Sequence, residues 1–172
     1  MKPEYTICDS NVRLRSIVVD DIEMLRCWRN QDSIRNSFVY SGIISQEQQA
    51  KWFIRYLSDN CDFMFIALYK DEPIGACALY NVDPQNLCCE FGRLMIGNTQ
   101  LRGMGLGKRL TKLATLLGFE MLGLERVYLE VFQENTYAKN VYKSLGYRIT
   151  GTAMRNNREV WLMEVMKENW SQ

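Results

Sequence analysis

The sequence predicts one α/β domain over residues 1–172, with helices flanking a mixed central sheet. Short strand-like apolar runs alternate with amphipathic helical segments, and a glycine-rich turn joins one of these strands to a long helix. Strands connected through that helix should pair in parallel, whereas strands connected by tight turns should pair antiparallel. The chain contains no repeat, low-complexity tract or Pro/Gly/Ser-rich linker that would divide it.

Local signals mark the elements of the first half of the chain. Val12 to Ser16 alternates like a first strand, and Asp20 or Asp21 is placed to cap a helix. Ser45 followed by Gln48 is a capping-box pattern, which predicts the start of a second helix. A hairpin is then predicted from two apolar runs and the turn between them: Phe63 to Tyr69, Lys70 to Pro73 and Ile74 to Tyr80.

The second half alternates strands with helices. A strand predicted at Leu87 to Ile96 leads into the glycine-rich turn and then into an amphipathic helix. One stripe of that helix is apolar: Leu106, Leu110, Leu113, Leu117 and Met121. The remaining strands are predicted at Arg126 to Val131, near Tyr147, and at Val160 to Met166.

The glycine-rich turn has a spacing that suits an anion. Arg102, Gly105 and Gly107 form an Arg-x-x-Gly-x-Gly pattern between the strand and the helix. The first N–H groups of a helix have no partner within it, and the helix dipole adds positive potential at the same place. Glycine also lets a diphosphate lie against the main chain, where a Cβ would obstruct it. The turn therefore predicts a phosphate site, with an ordinary glycine-rich connection as the alternative.

Two better-known phosphate loops do not fit this segment. A P-loop requires glycine where Arg102 stands and a hydroxyl where Arg109 stands. A dinucleotide fingerprint requires glycine at Lys108 or at Leu110, depending on where it begins. The phosphate ligand is therefore expected to belong to another cofactor.

A second segment narrows the choice of cofactor. Asn135, Ala138, Tyr142, Gly146 and Tyr147 form an Asn-x-x-Ala-x-x-x-Tyr-x-x-x-Gly-aromatic motif after the next strand, and Asn135 can cap the helix. Together, the two segments resemble the GNAT superfamily of acetyl-CoA-dependent N-acetyltransferases, although phenylalanine is commoner at the last position. The resemblance covers most of the chain and implies the GNAT fold, in which two helices follow the first strand.

The resemblance also implies how acetyl-CoA would bind. Backbone N–H groups of the glycine turn would hold the pyrophosphate, helped by the charge of Arg102 and Lys108. The strand edge would hydrogen-bond the pantetheine arm, and Asn135 would reach the pantetheine or adjacent backbone. The residues implied in cofactor binding are Leu94, Met95, Ile96, Arg102, Gly103, Met104, Gly105, Leu106, Gly107, Lys108, Asn135 and Tyr142.

Tyr142 is the predicted general acid. The leaving group of acetyl-CoA is a thiolate, and a phenol with a pKa of about 10 can donate a proton or a hydrogen bond to it. The alternative is that Tyr142 only packs its helix against the sheet.

Glu90 is the candidate base or amine-orienting residue, because it lies on the strand that leads into the glycine turn. The alternative is a structural ion pair with Arg93 or Arg126. If the strand is regular, alternate positions share one face: Glu90, Gly92, Leu94 and Ile96.

Two short signatures bear on the acceptor amine. Trp28-Arg29-Asn30, together with Cys89 to Gly92, resembles acetyltransferases that modify nucleotide-linked amino sugars, as in pseudaminic acid synthesis. Ser45 to Leu57 resembles the Rim-type enzymes that acetylate N-termini of ribosomal proteins. The amino sugar is the preferred acceptor, and Arg29 would then bind its phosphate. Alternatives are a structural pairing of Arg29 with Asp20, Asp21 or Asp32, and, for the whole chain, a non-catalytic acyl-CoA sensor.

Composition limits the other functions. A net charge of +1 argues against an extended nucleic-acid surface. The chain has no histidine, and its 6 cysteines form no Cys-x-x-Cys pair, so no metal site and no histidine-dependent nucleophile are expected. Met1 leads into mixed polar sequence rather than a signal peptide, and the longest apolar run is too short to span a bilayer. We expect a cytoplasmic protein with reduced thiols that is a monomer or a homodimer.

Overall fold

The computed structural model describes residues 2–170, and its centre is an 8-stranded sheet with helices on both faces. The strands are β1 (Thr6–Asp9), β2 (Val12–Ser16), β3 (Phe63–Tyr69), β4 (Glu72–Asp83), β5 (Cys88–Ile96), β6 (Arg126–Phe132), β7 (Arg148–Arg155) and β8 (Arg158–Met166). The helices are α1 (Ile22–Asn30), α2 (Asp32–Arg35), α3 (Gln46–Ser58), α4 (Leu106–Glu120) and α5 (Thr136–Ser144). The strand order is β1-β2-β3-β4-β5-β6-β8-β7.

The sheet is mixed, as the sequence predicts. β5 pairs with β6 in parallel, and the other neighbours pair antiparallel. The parallel pairing is short: it joins Cys88–Glu90 to Arg126–Tyr128 and then stops. From Phe91 onward, the side of β5 that faces β6 has no partner strand. Its main-chain groups are therefore available to a ligand that lies between the two strands.

A bulge interrupts β5 at the same place. Gly92 pairs with Ala78 and Met95 pairs with Ala76, so β5 contains one residue more than β4 over this stretch. Arg93 has a φ of 52°, in the left-handed region that a non-glycine residue seldom adopts. The prediction of a regular strand is therefore wrong at this point.

The bulge reverses which side chains share a face. Phe91 packs in the core beneath α4, whereas Met95 packs in the opposite core with α1 and α3. Leu94 and Ile96 now lie on the α4 side. Glu90, which pairs with Tyr80 on β4, lies on the opposite side, so it does not share a face with Leu94 and Ile96.

Two hydrophobic cores hold the layers together. On one face, the α4 stripe packs on the sheet, and Leu110, Ala114 and Leu117 are completely buried. On the other face, α1 and α3 cover the sheet with Leu25, Phe53 and Tyr56 among other side chains. Burying each large apolar side chain contributes roughly 1.5–3 kcal/mol, so these two contacts fix the helices that carry the site. Met121, predicted on the α4 stripe, is instead 45% exposed just past the helix.

The structure corrects the predicted start of the chain. Val12 to Ser16 is the second strand, because the edge strand β1 precedes it. A short helix, α2, also follows α1 before the predicted α3. Asp21 begins α1 but does not cap it: its carboxylate accepts from the backbone N–H of Val18 and from both terminal nitrogens of Arg15. The capping box at the start of α3 is confirmed, with Ser45 and Gln48 bonded reciprocally.

Candidate active site

The glycine turn opens α4 with its backbone facing an open groove. Gly103 and Gly105 have φ values of 82° and 71°, and a Cβ built on either would meet no atom within 4 Å. Gly105 is the N-cap residue of α4, immediately before Leu106. A groove of about 360 Å³ runs along this turn and the free edge of β5. The turn therefore offers unobstructed N–H groups at the positive end of a helix, as diphosphate binding requires.

Most residues predicted to bind the cofactor line this groove: Leu94, Met95, Ile96, Arg102, Gly103, Gly105, Leu106 and Gly107. Met104 and Lys108 are exposed and do not line it. Tyr137, Ser33, Ser37 and Phe38 line the groove without having been predicted. Tyr137 lies inside the second motif and was detectable there. The other three precede the turn by more than 60 residues, and no local pattern connects them to it.

Side chains from the first helices hold the glycine turn in place. Gln31 donates through Nε2 to the carbonyl of Gly97 at 3.0 Å. The ring of Trp28 occupies the space that a Cβ at Gly97 would need. Arg102 donates to Ser33 Oγ at 3.0 Å. The glycine turn and the segment from α1 to α2 are therefore one packed unit.

Tyr142 and Asn135 line a second cavity of about 300 Å³, on the far side of the β5 edge. The Tyr142 ring packs edge-on against Phe91, with ring centroids 6.3 Å apart. Burial raises the pKa of Tyr142 to about 12, with a smaller contribution from Cys77, so the phenol keeps its proton at neutral pH. Asn135 caps α5 by accepting from the N–H of Ala138 at 3.1 Å.

Glu90 lines the same cavity as Tyr142, and both of its oxygens are hydrogen-bonded. Tyr80 donates to Oε1 at 2.7 Å, and Asn81 donates to Oε2 at 2.9 Å. The alternative of a structural ion pair is wrong, because Arg93 pairs with Asp62 and Arg126 pairs with Glu164. Glu90 thus has two neutral donors and, within the described part of the chain, no ion pair with Arg93 or Arg126.

Glu130 is a second carboxylate of this cavity, which the sequence did not single out. Arg155 of β7 donates to both of its oxygens and neutralises it. The β7–β8 hairpin also reaches the loop after α2, where Asn156 donates to the carbonyl of Val39 at 3.0 Å. The hairpin and this loop therefore cover the mouth of the cavity.

Arg29 lies in an adjoining chamber of about 370 Å³ whose wall includes Phe38, Tyr40 and Trp52. Its guanidinium carbon lies 3.9 Å from the centroid of the Phe38 ring, and Nη2 donates to the carbonyl of Tyr40. Nη1 is buried without a hydrogen-bond partner, and burial lowers the pKa of Arg29.

The alternative prediction, in which Arg29 forms a structural ion pair with a nearby aspartate, is wrong. Asp21 pairs with Arg15, and Asp32 pairs with Arg35. Within residues 2–170, Arg29 forms no ion pair with Asp20, Asp21 or Asp32. Its charge thus faces the chamber without a carboxylate beside it.

Residues 2–170 contain neither a membrane-spanning helix nor a cluster of side chains suited to a metal ion. Every helix in this range is too short or too polar to cross a bilayer. No group of three or more Cys, Asp or Glu side chains in this range lies close enough together to hold a metal ion.

The parts of the site are suited to one type of chemistry. A free strand edge can bind an extended amide-bearing chain, the glycine turn fits a diphosphate, and Tyr142 can protonate a leaving group between them. These features match the three parts of a coenzyme A thioester. The fold and the site together define an acyl-CoA-dependent transferase.

The chain belongs to the acetyltransferase (GNAT) family, whose sequence model matches residues 24–147. It is an acetyl-CoA-dependent N-acetyltransferase with acetyl-CoA as co-substrate, and the resemblance stated from its motifs is confirmed.

Similar proteins modify small amines. Spermidine N(1)-acetyltransferase of Escherichia coli K12 is 25% identical over 144 residues, which cover 84% of this chain and 76% of that protein. Spermidine N-acetyltransferase from Vibrio cholerae, in complex with CoA and spermine, superimposes with a TM-score of 0.86 at 21% identity, over 94% of this chain and 98% of that one. An aminoglycoside acetyltransferase in complex with coenzyme A superimposes with a TM-score of 0.80 at 20% identity, over 92% of this chain and 96% of that one. The amino-sugar and Rim-type branches are not confirmed by these comparisons.

Proposed function

We propose that the acceptor is a small-molecule amine that binds as a cation beside Glu90, and that a polyamine such as spermidine is the first candidate. The charge of Glu90 carries this proposal. Its partners, Tyr80 and Asn81, are neutral donors, while the nearby Arg93 is neutralised by Asp62. A carboxylate with no cation of its own in a partly enclosed cavity attracts an ammonium group.

The named activities of similar proteins support the same class of acceptor. The relatives from Escherichia coli and Bacillus subtilis carry the names spermidine and spermine/spermidine N(1)-acetyltransferase. Both acceptor types named among the similar structures, polyamines and aminoglycosides, are amines with several positive charges. Glu90 provides a site of the opposite charge.

Glu90 and Tyr142 would divide the proton transfers of the reaction. At neutral pH, removing the proton of an alkylammonium group costs about 4–5 kcal/mol, so the attacking nitrogen needs an acceptor nearby. Glu90 orients the ammonium and takes this proton directly or through water, and the nitrogen then forms a bond to the acetyl carbon. As the carbon–sulfur bond breaks, Tyr142 donates its proton to the sulfur, and the second proton that the nitrogen loses on becoming an amide replaces it through water. The raised pKa of Tyr142 keeps that proton in place until it is needed.

The free edge of β5 contributes the remaining catalytic element. An oxygen that gains negative charge during attack is stabilised by N–H groups that already point towards it. The bulge at Arg93 turns the backbone where the parallel pairing with β6 has ended. Backbone N–H groups in this stretch are the donors we assign to that oxygen.

A second candidate acceptor is an amine that also carries an anionic group, such as a nucleotide-linked amino sugar. The buried Nη1 of Arg29 favours it, because an unsatisfied guanidinium nitrogen costs about 1–3 kcal/mol or more and an anion would satisfy it. The chamber that holds Arg29 shares the side chains of Phe38 and Arg93 with the cavity that holds Glu90. One acceptor molecule of sufficient length would reach both charges.

A panel of amines tests these candidates. Release of free CoA thiol from acetyl-CoA would be followed with spermidine, spermine, an aminoglycoside, a nucleotide-linked amino sugar and a peptide with a free N-terminus. We expect the highest kcat/KM with a polyamine. A higher value for the amino-sugar nucleotide would instead support the second candidate, and a higher value for the peptide would overturn both.

A further inference from the structure

Tyr80 of β4 carries a partly buried phenol that no motif includes. It pairs with Glu90 across β4 and β5, and its hydroxyl donates to Glu90 Oε1 at 2.7 Å. Burial, followed by the charge of Glu90, raises the pKa of Tyr80 well above its usual range. The phenol therefore remains protonated and acts as the donor of this hydrogen bond.

The neighbours of Tyr80 fix the direction of its hydroxyl group. Gly92 leaves space for the phenol, since a Cβ at that position would lie 2.7 Å from Tyr80 Oη. The guanidinium carbon of Arg93 lies 4.3 Å from the centroid of the Tyr80 ring. Arg93 is in turn held by Asp62, whose two oxygens each accept from Arg93 Nη1 at 2.8 Å. The Tyr80 phenol thus lies over Gly92 and against Arg93, in the position from which it donates to Glu90.

These contacts leave Glu90 little rotational freedom. A glutamate on a strand has several staggered side-chain conformations of similar energy. Tyr80 binds one oxygen and Asn81 binds the other, so a single conformation satisfies both donors. Hydrogen bonds to a charged carboxylate are stronger than those between neutral groups, so the two donors together favour this conformation over the others.

We propose that Tyr80 is a positioning residue for the acceptor, which holds the Glu90 carboxylate at the place where the amine binds. The proposal rests on the proposed role of Glu90 in binding the acceptor amine. It assigns specificity and reactivity towards the amine to a network that includes Gly92, Arg93 and Asp62. None of the residues of this network lines the groove proposed for acetyl-CoA.

A double-mutant cycle tests the assignment. The variants are Tyr80→Phe, Glu90→Ala and the two combined, assayed with the most active amine of the panel above. Tyr80→Phe should lower kcat/KM for the amine about 10-fold, which corresponds to about 1.4 kcal/mol. It should leave the Kd of CoA unchanged. In the Glu90→Ala background, the same substitution should have almost no further effect, because the group that it positions is gone.

Tyr128→Phe is the matched control. Tyr128 is the partner of Glu90 across the parallel β5–β6 pair, but its hydroxyl makes no hydrogen bond to Glu90 in the described structure. This variant should retain the kinetics of the original protein. A second variant, Gly92→Ala, keeps the phenol but pushes it away from Glu90, and it should reproduce the loss seen with Tyr80→Phe.

Each result points to one conclusion. If Glu90→Ala leaves kcat/KM for the amine unchanged, the proposed function of Glu90 fails, and the role of Tyr80 fails with it. If Glu90→Ala lowers kcat/KM but Tyr80→Phe does not, or if the two losses simply multiply, only the positioning role of Tyr80 is overturned. A rise in the Kd of CoA for Tyr80→Phe that matches the loss in kcat/KM would show a packing role instead.

Discussion

The donor and acceptor sides of the site are built in different ways. The donor groove is mainly backbone from a continuous stretch of chain: the free edge of β5, the glycine turn and the first residues of α4. The acceptor side consists of side chains that meet from separate elements. Glu90, Tyr80 and Arg93 depend on contacts such as the one between Arg93 and Asp62, which are 31 residues apart.

This difference predicts which side of the site related enzymes can share and which side can vary. A backbone site needs glycines and a helix start at fixed spacing, and it serves any protein that binds the same cofactor. A side-chain site can be changed residue by residue without altering the sheet. We therefore expect related acetyltransferases to share the donor groove and to differ in the cavity that we propose for the acceptor.

Tyr142→Phe should produce the largest effect on activity, because Tyr142 is the proposed general acid of the reaction. Loss of a general acid lowers kcat about 10²–10⁴-fold, while the affinity for acetyl-CoA should change little. Single-turnover kinetics would measure the chemical step rather than product release. The loss should shrink with an acyl donor whose leaving group is less basic.

Tyr147→Phe is the control for this experiment. Its hydroxyl lies 2.7 Å from Thr115 Oγ1 in the core, so the variant should lose about 1 kcal/mol of stability and keep its kcat. Full single-turnover activity in Tyr142→Phe would show that Tyr142 is only a packing residue.

Gly105→Val should disable the donor side alone. The branched side chain would enter the space in front of the turn, and we expect CoA to bind roughly 100-fold more weakly, equivalent to about 2.7 kcal/mol. Gly123→Val is the matched control, because Gly123 has a similar φ of 68° and equally open surroundings outside the groove. Both variants carry the same backbone strain of about 1–3 kcal/mol. Calorimetry with CoA that gave equal affinities for the two variants would place the diphosphate elsewhere.

Arg29→Gln should distinguish the two candidate acceptors, because it should weaken the binding only of an acceptor that carries an anionic group. We expect KM to rise about 10-fold for an acceptor that carries an anionic group, in line with the loss of one charged hydrogen bond. KM for spermidine should not rise. Arg35→Gln is the control, since Arg35 also donates to a carbonyl of the loop after α2, at Ser41, but does not line the chamber. An equal rise in KM for both acceptors would assign Arg29 to the support of the loop.

Asp21→Asn should have the smallest effect, which is a loss of stability where Asp21 precedes α1. Burial alone would raise the pKa of Asp21, but the hydrogen bonds from Arg15 and Val18 outweigh burial and hold it below 3.8. Because the folded pKa is lowered, the stabilisation is fully present above 3.8 and is lost as pH falls through the folded pKa. The variant should be about 1–2 kcal/mol less stable at pH 7.

Thermal unfolding of Asp21→Asn and the original protein from pH 7 to pH 2 would show this dependence. The difference between the two should shrink as the solution becomes acidic. A difference that stayed constant over this range would mean that the Asp21 charge does not stabilise the fold.

The sequence predicted the donor side because its signals are local. Gly103, Gly105 and the α4 stripe lie close together in the sequence. The glycine spacing and the helical period of the apolar residues therefore predict them directly. The same holds for the capping of α5 by Asn135. The mixed sheet followed from a helix placed between two strands, which constrains how they pair.

The acceptor side could not be predicted in the same way. One extra residue at the β5 bulge placed Glu90 on the opposite face from Leu94 and Ile96. No local sequence pattern predicts that Arg93 adopts a left-handed backbone conformation. The true partners of Glu90 depend on the β4–β5 register, which the sequence did not define. The edge strand β1 was missed because it is short and mostly exposed, so its hydrophobic alternation is weak.

The contact between Trp28 and Gly97 restricts how this sequence can change over time. The indole ring fills the space of a Cβ at position 97, so any side chain introduced there alone must displace the ring. Replacing Trp28 alone by a small residue would leave a cavity beside the cofactor turn, which is also destabilising. Only a paired substitution preserves the packing. The two positions should therefore covary across the family, and a large residue at one should accompany a glycine at the other.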